Sequence, residues 1–100
     1  MANKVIFRTW KDGSVIALFP RLPADRHGYK CESYMHVGQH AAADPGIVSE
    51  TTPSTKKEYD PLLKELKTIG YTGLEIAKKI TPQDNAYRQK MADKQWGKLR

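Results

Sequence analysis

Apolar and polar positions change their period several times along this chain. Val5-Ile6-Phe7-Arg8-Thr9-Trp10 and Val15-Ile16-Ala17-Leu18-Phe19 are short runs rich in β-branched and aromatic residues. Lys11-Asp12-Gly13-Ser14 lies between them, and Asp-Gly between two such runs is a strong hairpin signal, because the turn needs a positive φ that Gly adopts without steric cost. The pattern predicts a β-hairpin whose second strand ends at Pro20, since Pro cannot donate to a ladder. Arg21 to Tyr29, with Pro23 and Gly28 among charges, reads as a loop. Lys30 to Val37 alternates. Cys31, Ser33, Met35 and Val37 fall on one face, Lys30, Glu32, Tyr34 and His36 on the other, which predicts a third, half-buried strand.

Gly38 to Thr55 has no clear period and reads as a long loop, or as one carrying a short strand at Ile47-Val48. A helix follows. Asp60 can cap it, Pro61 suits its first turn, and Glu58-Tyr59 can form an additional leading turn. Leu62, Leu63, Leu66 and Ile69 make an apolar stripe at helical spacing, and Gly70 is placed to end the helix. Leu74 to Ile80 reads two ways. Leu74, Ile76, Lys78 and Ile80 alternate as in a fourth strand, the favoured reading, while Thr72-x-x-Glu75 has the spacing of a capping box. Thr81-Pro82-x-Asp84 opens a last helix with apolar Tyr87, Met91 and Trp96 among Arg88, Lys90, Lys94, Lys98 and Arg100.

These elements predict an α+β fold. An antiparallel sheet of three or four strands begins with the hairpin, one amphipathic helix packs on it, and a basic helix trails behind. Residues 1–80 form the α+β domain and residues 81–100 a basic helical extension.

Charge adds a direction. Residues 1–52 carry six Lys and Arg against five Asp and Glu, and residues 53–100 carry eleven against six. The excess favours polyanionic partners, nucleic acid or an acidic protein, unless it serves solubility alone. The single Cys31 excludes a disulfide scaffold and suggests a reducing compartment. The longest apolar run, Val15 to Phe19, is far short of the roughly twenty residues that a membrane span needs. No apolar leader is visible either, so the expected location is the cytoplasm, away from membranes.

The stretches VIFR, VIALFP, SYMHVGQHAAADP and EYDPLLKELKTIGY resemble a family of small proteins of no known function from phage, plasmid and bacterial genomes. The resemblance runs from Val5 to Ile80, and Tyr34 to His40 is its most distinctive part. It implies no catalytic residue. It does imply an accessory protein of a mobile element rather than a core metabolic enzyme.

Candidate chemistry is thin. His36, His40 and Asp44 are spaced by four and would share a helix face as metal ligands. On a strand, residues four apart lie roughly 13 Å from one another, so only a bend at Gly38 would gather them. The alternative is that His36 hydrogen-bonds on the sheet while Gln39 and His40 shape a turn. Cys31 with His36 as base would be a nucleophile pair, but their strand parity is opposite, which favours an inert buried thiol. Trp10, Tyr29 and Tyr34 sit near Arg8, Lys11 and Lys30 and could stack nucleobases, or pack beneath a helix. Residues 61–80 could form a helix-turn-helix only if Leu74 to Ile80 is helical. No Gly-rich phosphate loop, paired-Cys zinc spacing or nucleophile elbow is present, and no cofactor is expected.

The reading is therefore a non-catalytic accessory binding protein. Tyr34, His36, Gln39 and His40 are its candidate binding residues on the sheet, and Arg88, Lys90, Lys94 and Lys98 those on the basic helix. Nucleic acid is the first candidate ligand. A protein-interaction module, as a homodimer hiding a sheet edge, is the second. A small metal-dependent enzyme using His36 and His40 is the third.

Overall fold

In the computed structural model, residues 3–35 and 39–96 are described. β1 (Asn3–Thr9) and β2 (Val15–Pro23) form the hairpin, in the register Thr9↔Val15 to Ile6↔Leu18. The Trp10 N–H donates to Ser14 O and the Gly13 N–H to Trp10 O, closing a three-residue loop in which Gly13 takes φ 89°. β3 (Cys31–Met35) pairs antiparallel with β2, and β4 (Gln39–Ala43) with β3. A 3₁₀ helix (Pro45–Ser49) and the two-residue β5 (Thr52–Pro53) follow. Next come α1 (Lys56–Thr68), β6 (Leu74–Ala77) and α2 (Pro82–Trp96).

The fold is α+β, as expected, with an antiparallel run β4-β3-β2-β1-β5. Among the described residues the sheet has six strands rather than three or four. Two additions come from Gly38 to Thr55, where the short strands Gln39–Ala43 and Thr52–Pro53 leave no apolar alternation to read; Ile47 and Val48 belong to the 3₁₀ helix, not to a strand. β6 takes the strand reading at Leu74 but stops at Ala77, short of Ile80, and pairs parallel with β1, beside β5. A helix-turn-helix over residues 61–80 is thereby ruled out.

β2 does not end at Pro20. Its pairing runs to Phe19↔Glu32 and resumes at Pro23↔Cys31, so Pro20, Arg21 and Leu22 form a bulge. Pro is tolerated there because a bulge asks for no ladder bond.

Both faces of the sheet are covered. Val5, Phe7, Ala17, Phe19 and Tyr34 pack under Leu62 and Leu66 of α1, with Phe7 stacked on Tyr59 and Phe19 on Tyr71. The opposite side chains, Ile6, Ile16, Leu18, Cys31 and Ala43, form a second core with Ile47 and Val48. β3 therefore has buried side chains on both faces, Cys31 and Ser33 on one and Tyr34 on the other, while Glu32 stays exposed.

α1 starts earlier than Asp60. Thr55 caps it, and Thr55 and Glu58 exchange side-chain and backbone hydrogen bonds in a capping box. Pro61 lies inside the helix on its exposed side. At the other end, Tyr71 N–H donates to Leu66 O and Gly70 N–H to Lys67 O, with Gly70 at φ 115°. This Schellman motif turns Ile69 outward to 48% exposure, so Ile69 does not join the buried stripe.

α2 is docked on β2 rather than trailing. Its buried line is Asp84, Arg88 and Ala92, and the expected Tyr87, Met91 and Trp96 are only partly covered. Gly28, at φ 74°, lets the preceding loop touch the helix, since a Cβ there would lie 2.7 Å from the Gln89 Cα.

Candidate binding groove

Where the hairpin turn meets the end of the 3₁₀ helix, the surface opens into a groove of about 910 Å³. Trp10 and Met35, both at the margin of the second core, supply its apolar part. Ser14, Ser49, Thr51 and Thr52 supply hydroxyls, and Lys11, Asp12 and Glu50 supply charge. Arg8 lies outside the lining and holds the Thr51 side in place from beneath. Its Nε donates to Thr51 Oγ1 at 3.0 Å, and Nη2 to the carbonyls of Val48 and Thr51, each at 2.6 Å. The 3₁₀ helix is thereby tied to β1, and Asp44 caps its start by accepting from the Gly46 N–H. The Ser14 hydroxyl and N–H hold the Asp12 carboxyl below its ordinary range, so Asp12 remains anionic at the rim.

The groove has an electrostatic context. No Lys or Arg occurs between Cys31 and Thr55, a stretch that carries Glu32, Asp44 and Glu50. Glu50 and Asp12 outweigh Lys11 among the groove's charges.

The aromatic and basic candidates do not converge. Tyr34 is 1% exposed beneath α1 and donates its hydroxyl to Glu65. Trp10 belongs to the other face, and Tyr29 lies exposed in the loop before β3, stacked on His27. Gln39 and His40 stand on β4, paired with Met35 and Tyr34. His36 and Lys98 fall outside the described residues. Asp44 is engaged as the cap just described. No cluster of three or more His, Cys, Asp or Glu side chains suited to a metal occurs among the described residues.

Arg88 is not a surface cation. It is 3% exposed, donating Nε to Gly28 O, Nη1 to Pro20 O and Nη2 to Asn85 Oδ1. Lys90 and Lys94 are exposed on the outer side of α2. Cys31 is fully buried, and that burial pushes its thiol up to about 11 against the opposing pull of Arg88. A thiol so protonated is no nucleophile at neutral pH.

Asp84 was legible only as part of a helix start. Its carboxylate is fully buried and accepts from Lys4 Nζ, from Arg21 Nε at 2.9 Å and from the Thr81 N–H at 2.8 Å. Burial alone would raise its pKa, but these donors outweigh it and hold the group at about 2. The sequence signal was Thr81-x-x-Asp84, a reciprocal cap; nothing in it named the cations 63 and 80 residues away.

No helix among the described residues is long and apolar enough to cross a membrane. The chain matches no family model, no curated protein and no solved structure at a significant level.

Proposed function

We propose that this protein is a non-catalytic binding module whose groove takes a short segment of a protein partner. The observation that carries this reading is the make-up of the groove: a partly exposed Trp10 and Met35 ringed by hydroxyls, with acidic Asp12 and Glu50 prevailing over Lys11. Trp and Met are enriched at protein interfaces, and a Trp in a polar rim is a typical energetic anchor. The volume suits a few side chains rather than a folded domain. The partner segment is apolar at its centre and flanked by Lys or Arg. The resemblance to phage and plasmid proteins supports an accessory role of this kind in a mobile element.

Panning a random peptide library on the intact protein tests it. Enriched peptides should combine an aromatic or aliphatic anchor with basic flanks. Trp10→Ala should weaken labelled copies of them by about tenfold or more, and Glu50→Lys should act in the same direction, with the far-ultraviolet circular dichroism unchanged. Peptides that bind Trp10→Ala as well as the parent would overturn the reading.

The exposed lysines favour nucleic acid as a second reading. Lys56, Lys57, Lys64 and Lys67 on α1, and Lys90 and Lys94 on α2, enter no ion pair among the described residues. They lie on helices covering opposite faces, which argues against one continuous phosphate track. Oligonucleotide affinity that falls steeply with salt, with a slope reduced by about one for each of Lys90→Ala and Lys94→Ala, would favour it over the groove.

A further inference from the structure

The sheet ends on β4, and ladder parity fixes which of its backbone groups face outward. Trp10 donates to Ser14 O, so Arg8 and Ile6 bond toward β2 while Val5, Phe7 and Thr9 turn to the other side. The hydrogen bonds from Ser54 N–H to Phe7 O and from Thr52 Oγ1 to Thr9 O agree. Carried through the register, Ala17 and Phe19 bond toward β3, and Cys31, Ser33 and Met35 toward β4. Gln39, Ala41 and Ala43 therefore bond to β3, and the N–H and C=O groups of His40 and Ala42 point away from the sheet. Ala41 and Ala42 are exposed, and among the described residues no strand pairs with that side.

Such an edge is ordinarily guarded by Lys, Pro or a bulge. The opposite margin of this sheet follows that rule: β5 is two residues long and contains Pro53, and β6 runs into Lys78-Lys79. Within β4 itself, Gln39–Ala43, there is neither Lys nor Pro; Asp44 and Pro45 come only after its last residue. The chain holds 17 Lys and Arg, and none of them falls between Cys31 and Thr55.

We propose that β4 pairs with β4 of a second copy, antiparallel, about a two-fold axis at Ala41. His40 and Ala42 of one copy then exchange backbone hydrogen bonds with Ala42 and His40 of the other. Ala41 meets its own counterpart at the close, non-hydrogen-bonded spacing of about 4.5 Å, where two methyl groups fit. Charge selects this occupant. Each copy is formally +6, so contact through α1 or α2 would oppose lysines to lysines. From Gln39 to Ala43 the opposed residues carry no formal charge at neutral pH. A five-residue edge buries less than a standard interface, so the association is weak and concentration-dependent.

Sedimentation equilibrium of the intact chain tests the pairing. The average mass should climb from one chain toward two between micromolar and near-millimolar concentration, and high salt should not abolish the rise, because backbone bonds and not charges join the copies. Ala42→Pro removes the outward donor and spares the bonds of Ala41 and Ala43 to β3; Ala42→Lys supplies the missing guard. Both should remain single chains where the parent pairs. Hydrogen exchange of the parent needs no variant: the amides of His40 and Ala42 should slow by about tenfold with concentration while those of exposed loops do not. A parent that stays a single chain throughout, exchange at Ala42 independent of concentration, or an Ala42→Lys chain that pairs like the parent overturns the proposal.

Discussion

α1 and α2 lie on opposite faces of one sheet and are held there by different chemistry. α1 presents Leu62 and Leu66 to Val5, Phe7, Ala17, Phe19 and Tyr34, and its ends are closed by a capping box and a Schellman motif. α2 presents Asp84, Arg88 and Ala92. Those three residues are also spaced by four, so its buried side keeps the helical period, but two of the three are ionic. Asp84 collects Lys4, Arg21 and the Thr81 amide, and Arg21 also lies over the Tyr87 ring, 5.6 Å from its centre. Arg88 donates to Pro20 O, in the β2 bulge, and to Gly28 O, in a turn. Those carbonyls lie where the ladder gives them no strand partner, and without Arg88 they would be buried unmet. The comparison separates two ways of attaching a helix. One removes apolar area from water, and the other satisfies backbone groups that a bulge and a turn have released.

The largest expected effect is on the ionic side. Asp84→Asn leaves the Lys4 ammonium, whose side chain is 12% exposed, without its counter-charge. Breaking one partner of a buried pair costs about 3–5 kcal/mol, to be read from the urea midpoint. A loss under about 1 kcal/mol would mean that α2 is held by Ala92 and its apolar neighbours instead. On the other face, Leu66→Ala opens a cavity under a fully buried side chain and should cost about 2–5 kcal/mol, whereas Ile69→Ala at the exposed cap should stay within about 0.5 kcal/mol. Equal losses at the two positions would remove the distinction between stripe and cap.

A further effect concerns acid. Asp84 has a folded-state pKa of about 2, below its ordinary 3.8, so its contribution is complete above the unfolded value and is lost as pH falls through the folded one. That contribution is about 2 kcal/mol, disappearing between roughly pH 4 and pH 2. Leu66→Ala should retain this acid slope, and Asp84→Asn should flatten it, in urea titrations at stepped pH.

The same contrast explains what could be read in the chain beforehand. The hairpin, the alternating strand at Leu74 and the α1 stripe are local patterns of apolar residues, and they are where the sequence places them. Ile69 failed because the apolar spacing runs one residue past the last helical residue, Thr68, onto the C-cap that the Gly70 reversal turns outward. β2 ran past Pro20 because a bulge removes the ladder bond that Pro cannot make. Arg88 read as a surface cation because its partners, two carbonyls, are present at every residue and leave no compositional trace. The groove was partly legible: Trp10 stood out as an aromatic near charge, but its companions Met35, Glu50 and Thr51 come from distant segments joined only by the fold. Tyr34 read as a binding residue because its tyrosine character says nothing of the helix laid over it.

The parallel pairing of β6 with β1 has a consequence for biosynthesis. β2 follows β1 at once and can zip to it while the chain is still growing. The strand that completes its other side begins at Leu74, and the counter-ion of Lys4 arrives only at Asp84, 80 residues later. At about 5–20 residues per second, the bare side of β1 waits several seconds or more beyond the ribosome. During that interval β1 is a half-made surface, open to chaperones and to other growing chains.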